Sequence, residues 1–293
     1  MSEKENLAKI AFIGGSGLYE IDGIENIIEK EIVTPFGKPS DKIVIGEIDG
    51  IKCAFLPRHG KGHIYLPSEI NQQANMYALK SIGVEQIVSF TACGSLKDKM
   101  KPKDFVIPDQ IFDRTKNRPN TFFGGGIVAH VGMAKPFCDD MRDIIHQSVY
   151  ELGIEHHFGG TYVCIDGPQF STKAESEVNR QHGFSIVGMT AVPEAKLARE
   201  AEMCYANISL VTDYDVWKEG EEVTNDAVVA TVAANVSNSR RVIRDLVKKL
   251  SQREMKCLCS ESLKTAVMTA PEKLLISPSY EKVALLLDKY YNK

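Results

Sequence analysis

The sequence predicts one α/β domain, a twisted mixed central β-sheet flanked by helices, with a C-terminal helical extension. Three observations carry that expectation. Short β-branched runs alternate with amphipathic helical windows along most of the 293 residues. Glycine and proline punctuate the segment ends. The chain shows no internal repeat or low-complexity linker that would separate a second unit before residue 250.

In chain order, strands are expected at 9–13, 42–48, 52–55, 86–90, 105–107, 161–165, 185–187 and 207–211. The pair 42–48 and 52–55 reads as an antiparallel hairpin turning at Asp49-Gly50. Helices are expected at 68–81, 138–153, 173–182, 194–204 and 226–250. Gly83 and Gly153 suit helix stops, and Pro67, Pro136 and Pro193 suit helix starts. After Leu250 the chain turns polar, then a final amphipathic helix follows at 281–291. Residues 8–250 therefore read as the main domain, and 251–293 as an extension packed on it or on a neighbouring subunit.

Composition removes several classes of function. Hydrophobic residues make up 43% and charged residues 25%, enough for a sizeable core. With a formal net charge of −4, the surface lacks the basic excess that non-specific nucleic-acid binding needs. No stretch approaches the ~20 apolar residues of a membrane helix, and Met1 to Leu7 carry no apolar leader. The cytoplasm is the expected location.

Chemistry concentrates at strand ends. The first strand opens into Gly14-Gly15-Ser16-Gly17, where converging backbone N–H groups and a hydroxyl suit an oxyanion. A dinucleotide fingerprint fails because Glu20 stands where the third glycine belongs, and a plain tight turn is the alternative. The next strand pair ends in Pro57-Arg58-His59-Gly60-Lys61-Gly62-His63. The Arg58 fork matches phosphate oxygens and His59 adds a tunable donor, unless the run is a solvated basic turn. Thr91-Ala92-Cys93-Gly94-Ser95 lets a ligand touch main chain, and Gly188-Met189-Thr190 is similar. Phe170, in Asp166-Gly167-Pro168-Gln169-Phe170-Ser171, can stack on a planar base or simply pack in the core.

Thr212-Asp213-Tyr214-Asp215-Val216-Trp217 is the sharpest signal. Two carboxylates two residues apart can bind metal, cap a helix or do acid–base work. Metal lacks a histidine or third carboxylate nearby in sequence, so no metal site is expected. A partly desolvated carboxylate beside another has a raised pKa and can hold a proton for a leaving group.

Taken together in order, these segments resemble the trimeric purine nucleoside phosphorylase superfamily, in its 5′-methylthioadenosine phosphorylase branch. Phe112-Asp113-Arg114-Thr115, Met133-Ala134-Lys135-Pro136-Phe137-Cys138 and Met189-Thr190-Ala191-Val192-Pro193-Glu194 complete the match. The resemblance implies a purine nucleoside phosphorylase-like fold, a homotrimer or a dimer of trimers, inorganic phosphate as co-substrate and no cofactor. It implies a phosphate site of Ser16, Arg58, His59, Thr91, Ala92 and Thr190. Met189 would lie under the ribose, Phe170 beside the base, and Thr212, Asp213 and Asp215 at the base's N7 and 6-amino edge. His130 would complete the neighbouring subunit's 5′ pocket, and His63 would stand behind the phosphate loop.

Specificity follows from two positions. The 6-oxopurine relatives usually carry asparagine at Asp213 and glutamate at Ser171, so this chain resembles the adenine-cleaving branch. The helix at 226–250 opens with Ala227, Val228, Val229 and Ala230 and no histidine for a 5′-hydroxyl. An apolar lip for a methylthio group is expected there, with ordinary core packing as the alternative. A broader or 6-oxopurine phosphorylase and a non-catalytic nucleoside-binding protein are the competing readings. Among seven cysteines, Cys257-Leu258-Cys259 suggests redox or disulfide chemistry, and zinc is disfavoured by the tight spacing. Disulfides in some heat-stable relatives extend that expectation to Cys138 and Cys204.

Overall fold

The computed structural model describes residues 6–15, 23–220 and 225–291. Among them, eleven strands form one sheet flanked by seven helices. The first half holds β1 (Ile10–Gly14), β2 (Glu25–Lys30), β3 (Ile43–Ile48), β4 (Ile51–Pro57), α1 (Gln72–Ser81), β5 (Gln86–Ser95), β6 (Phe105–Ile107), β7 (Gln110–Asp113) and α2 (Asp139–Glu151). The second half holds β8 (His156–Phe158), β9 (Thr161–Cys164), α3 (Lys173–Gln181), β10 (Ile186–Gly188), α4 (Ala191–Glu200), β11 (Cys204–Asp213), α5 (Asn225–Ser251), α6 (Pro271–Leu274) and α7 (Tyr280–Tyr291).

Strand periodicity builds two cores. Ala11, Ile13 and Ile87 face one cluster with Met76, Leu79, Leu197 and Ala198 from α1 and α4. The alternate residues Ile10, Phe12, Val88 and Phe90 face the other, with Met141, Ile145, Val242 and Leu246 from α2 and α5. Leu263, Leu274, Val283 and Leu287 of the C-terminal segment are buried in the first cluster. Full burial of such side chains is worth about 1.5–3 kcal/mol each, so these helices are part of the packed body. No described helix is long and apolar enough to cross a membrane.

The 49–50 hairpin forms as expected, with Ile48 opposite Ile51 and positive φ at Asp49 and Gly50. Other boundaries move. The helix expected from Ser68 starts only after Asn71, whose side chain accepts from the Ala74 N–H. Residues 91–95, read from sequence as small residues beyond a strand end, and 204–206, of which Cys204 was expected to end a helix, extend β5 and β11 because the two strands pair in parallel along their length. The expected disulfides are absent: all seven cysteines are free thiols. Cys204 and Cys257 have sulfurs 3.3 Å apart, well beyond the ~2.05 Å of an S–S bond.

Candidate active site

β5 is where the sheet divides. One edge of β5 pairs with β1 from Gln86 to Ser89 and with β10 only at Gly94 and Ser95. Between those pairings no described strand covers Phe90 to Cys93 on that edge. The gap opens into a cavity of about 740 Å³ that runs from Gly15 to the start of α5. Open α/β sheets bind ligands in such crevices at strand ends.

Gly14 and Gly15, the described start of the first segment read as oxyanion-suited, meet the second here. β1 and β4 run parallel with Gly14 beside Pro57, and the Arg58 N–H donates to the Gly14 carbonyl at 3.1 Å. Arg58, with a side chain only 2% exposed, is then held from several sides. Its Nε lies 2.7 Å from Glu194 Oε1, Nη1 2.6 Å from the Phe90 carbonyl and Nη2 2.6 Å from Ser89 Oγ. Glu194 is fully buried and also accepts from Ser89 Oγ and Tyr205 Oη, each at 2.8 Å. A buried charge persists only when paired and hydrogen-bonded, and this network supplies both. His59 sits beside it, its Nδ1 2.8 Å from the Tyr65 carbonyl oxygen. Burial lowers the His59 pKa to about 4, so the ring is neutral. Thr91 and Ala92 on β5 and Thr190, the N-cap of α4, complete this wall. The Thr91 hydroxyl lies 3.3 Å from Asn207 Oδ1 and 3.2 Å from Ser209 Oγ, so it is already engaged within the sheet.

The carboxylate pair stands at the end of β11. The β11–β5 register slips between Val211 and Asp213, the signature of a bulge that redirects a side chain. Asp213 Oδ1 accepts from the Asp215 N–H at 2.7 Å, and Thr212 Oγ1 lies 2.6 Å from Oδ2. Thr212 Oγ1 is also 3.1 Å from the Cys93 carbonyl oxygen. With one hydroxyl proton, Thr212 donates to ionised Asp213, or accepts from protonated Asp213 and donates to Cys93. Burial raises the Asp213 pKa, and the charge of Asp215 adds to it. Asp215 is raised as well, by burial, while the Ser176 and Ser171 hydroxyls pull it back. Gly94 packs tightly opposite this pair: a Cβ there would sit 3.0 Å from Asp213 Oδ1 and 3.3 Å from Asp215 Cα, so the carboxylates would have to shift.

The remaining walls are apolar. Phe170 and Met189 line the cavity, and Val228, Val229, Val232, Ala233 and Val236 of α5 close it at helical spacing. Arg118 fixes the Phe170 and Met189 loops. Its Nη1 donates to the Met189 and Val192 carbonyls at 2.7 and 2.9 Å, and its Nη2 to the Asp166 carbonyl at 2.8 Å.

Of the residues expected at the site, Arg58, His59, Thr91, Ala92, Phe170, Met189, Thr190, Thr212, Asp213, Asp215, Val228 and Val229 line one cavity. Ser16 falls outside the described residues. His130 is exposed and away from the cavity, its N–H donating to the Ala266 carbonyl at 2.8 Å. His63 stands closer than expected, lining the cavity and stacking on His59 at 4.1 Å. Glu194, Ser89, Tyr205 and Arg118 escaped sequence reasoning. Glu194, Ser89 and Arg118 act through partners 136, 31 and 71 residues away in the chain, and Tyr205 through Glu194, 11 residues away, pairings that no local pattern reveals.

A family model described as "Phosphorylase superfamily" matches residues 9–248. An S-methyl-5′-thioadenosine phosphorylase of Koribacter versatilis is 47% identical over 287 residues, 98% of each chain. A solved methylthioadenosine phosphorylase from an antarctic soil metagenomic library superposes with a TM-score of 0.93 at 46% identity, covering 97% of this chain and all of that one. A mutant adenosine/methylthioadenosine phosphorylase from Schistosoma mansoni, solved with methylthioadenosine, superposes at 0.82 with 37% identity, covering 88% and 96%. The cavity at the divided sheet, its buried arginine wall and its paired carboxylates thus sit in a chain that belongs to the phosphorylase superfamily, in the S-methyl-5′-thioadenosine phosphorylase family.

Proposed function

We propose that the chain cleaves 5′-methylthioadenosine with inorganic phosphate, giving adenine and 5-methylthioribose 1-phosphate, a step of purine and methionine salvage. The observation that carries this reading is the opposition of two chemistries across one cavity. A cationic, hydrogen-bonding wall lies at one end, and at the other stands a pair of carboxylates whose pKa values burial raises.

Phosphate is assigned to Arg58, His59, Thr91, Ala92 and Thr190, with Ser16 from the adjoining loop. Met189 is assigned to the ribose and Phe170 to the face of the base. As the glycosidic bond lengthens, C1′ becomes cationic and the bound phosphate stabilises and then attacks it. The bonding electrons move to adenine, where protonated Asp213 donates to N7 while Asp215 accepts from the 6-amino group. Donors fixed in advance in a water-poor cavity make such terms large. The scheme uses phosphate as co-substrate and calls on nothing further.

The same reading assigns residues 8–250 to the phosphorylase domain and 251–293 to an extension packed on it. The assembly is a trimer or a pair of trimers in which exposed His130 completes a neighbour's 5′ pocket. Seven free thiols suit a reducing compartment, and the cytoplasm is the location assigned.

Purine release from methylthioadenosine, methylthioinosine, adenosine and inosine, each with and without phosphate, tests the proposal. Phosphate-dependent adenine release, fastest from methylthioadenosine, is expected. Faster turnover of the inosine compounds would overturn the base assignment, and turnover without phosphate would overturn phosphorolysis itself.

A further inference from the structure

Away from the cavity, four of the cysteines converge from three parts of the chain. Cys138 is the N-cap of α2, Cys204 opens β11, and Cys257 and Cys259 follow α5. Their sulfurs all lie within 4.8 Å of one another. Cys138, Cys204 and Cys259 are at most 4% exposed. The C-x-C pair has no partner pair nearby in sequence, but the fold places Cys138 and Cys204 beside it.

We propose that these four cysteines form a structural zinc site that ties the chain after α5 to the sheet. A tetrahedral zinc with ~2.3 Å bonds to sulfur holds its ligands about 3.8 Å apart, inside the spacing seen here. All-sulfur donor sets select thiophilic ions of this kind. The electrostatic surroundings fit as well. Four thiolates on one divalent ion leave two negative charges. Arg253 Nη2 lies 3.3 Å from both Cys138 and Cys257 Sγ, and Arg199 Nη1 lies 3.5 Å from Cys259 Sγ. Arg253 is shared with Asp140 at 3.2 Å. N–H groups donated to ligating sulfur are how proteins support such ions. Two disulfides would be neutral and would leave Arg253 with the Asp140 carboxylate but no charge at the sulfurs. Binding is not a redox step: zinc displaces up to four thiol protons to solvent and forms four Zn–S bonds.

Cys204 and Asp213 mark opposite ends of β11, about 30 Å apart at ~3.3 Å per residue, so the metal holds structure and takes no part in turnover. The test uses the full-length protein, purified under reductant without chelator and analysed for metal. About one zinc per chain is expected. After chelation, cobalt alone should restore one equivalent with the absorption bands of a tetrahedral four-sulfur site. Arg253→Gln should weaken cobalt binding roughly 10–100-fold. Chelation should lower the melting temperature, zinc alone should restore it, and kcat should hold while the protein stays folded. Metal-free protein showing no four-sulfur cobalt bands would overturn the proposal. So would a native mass short of four hydrogens, the sign of two disulfides.

Discussion

The two ends of the cavity are built by opposite means. The Arg58 wall is fixed before any ligand arrives: Glu194, Ser89, Tyr205 and main-chain oxygens hold each polar group in place. The α5 lip is a row of valines with little to fix them, and Val229 is 67% exposed. A polar wall without its network leaves a buried charge unpaired, whereas an apolar lip that shifts loses only contact area. Affinity for a small anion therefore requires the deeply built end. In the proposed assignment, tolerance of the 5′ substituent belongs to the other end.

The largest break of that contrast is Glu194→Ala. Removing one partner of a buried ion pair costs about 3–5 kcal/mol, so urea unfolding should lose that much, with phosphate KM rising steeply. A loss below about 1 kcal/mol would show that the wall is not pre-built. Asp213→Asn should lower kcat about 10²–10⁴-fold while moving stability little. Its pH profile separates a proton donor from a mere contact. A carboxyl with a raised pKa is protonated below that pKa, so the wild-type rate should fall as pH rises through it. The asparagine variant should lose that limb.

At the lip, Val229→Ser should cut the preference for methylthioadenosine over adenosine by roughly 10-fold, the scale of a lost apolar contact, and leave stability within about 0.5 kcal/mol. Comparing kcat/KM for the two substrates reads it. A separate test of the wall comes from His59. Its folded pKa of about 4 lies below the usual 6.5, so the unfolded chain binds more protons between those values. Stability should rise with pH across that window. Denaturation midpoints from pH 4 to 7 should flatten in His59→Asn.

Much of the site was legible because strand ends advertise themselves: a β-branched run that stops at small, polar or glycine-rich residues is visible from sequence alone. Thus Arg58, Thr91, Thr190 and Asp213 were found without geometry. The misses have physical reasons. β2 is solvent-exposed on nearly every residue, so no alternation marked it. The second half of β5, Thr91-Ala92-Cys93-Gly94-Ser95, looks like a loop by propensity and is a strand because β11, and at its end β10, pair with it. Glu194 and the cysteine cluster needed the fold, since their partners are distant in sequence.

The division of the sheet at β5 also sets an order of assembly. Thr91 and Ser209, neighbours across the β5–β11 seam, are 118 residues apart in the chain. At the ribosome β5 emerges well before the strand that completes it, and its apolar edge must wait. Closing so long a loop before any contact rewards it makes folding slow. During that wait the uncovered seam is an unpaired edge open to intermolecular pairing, and so a part that a chaperone would protect.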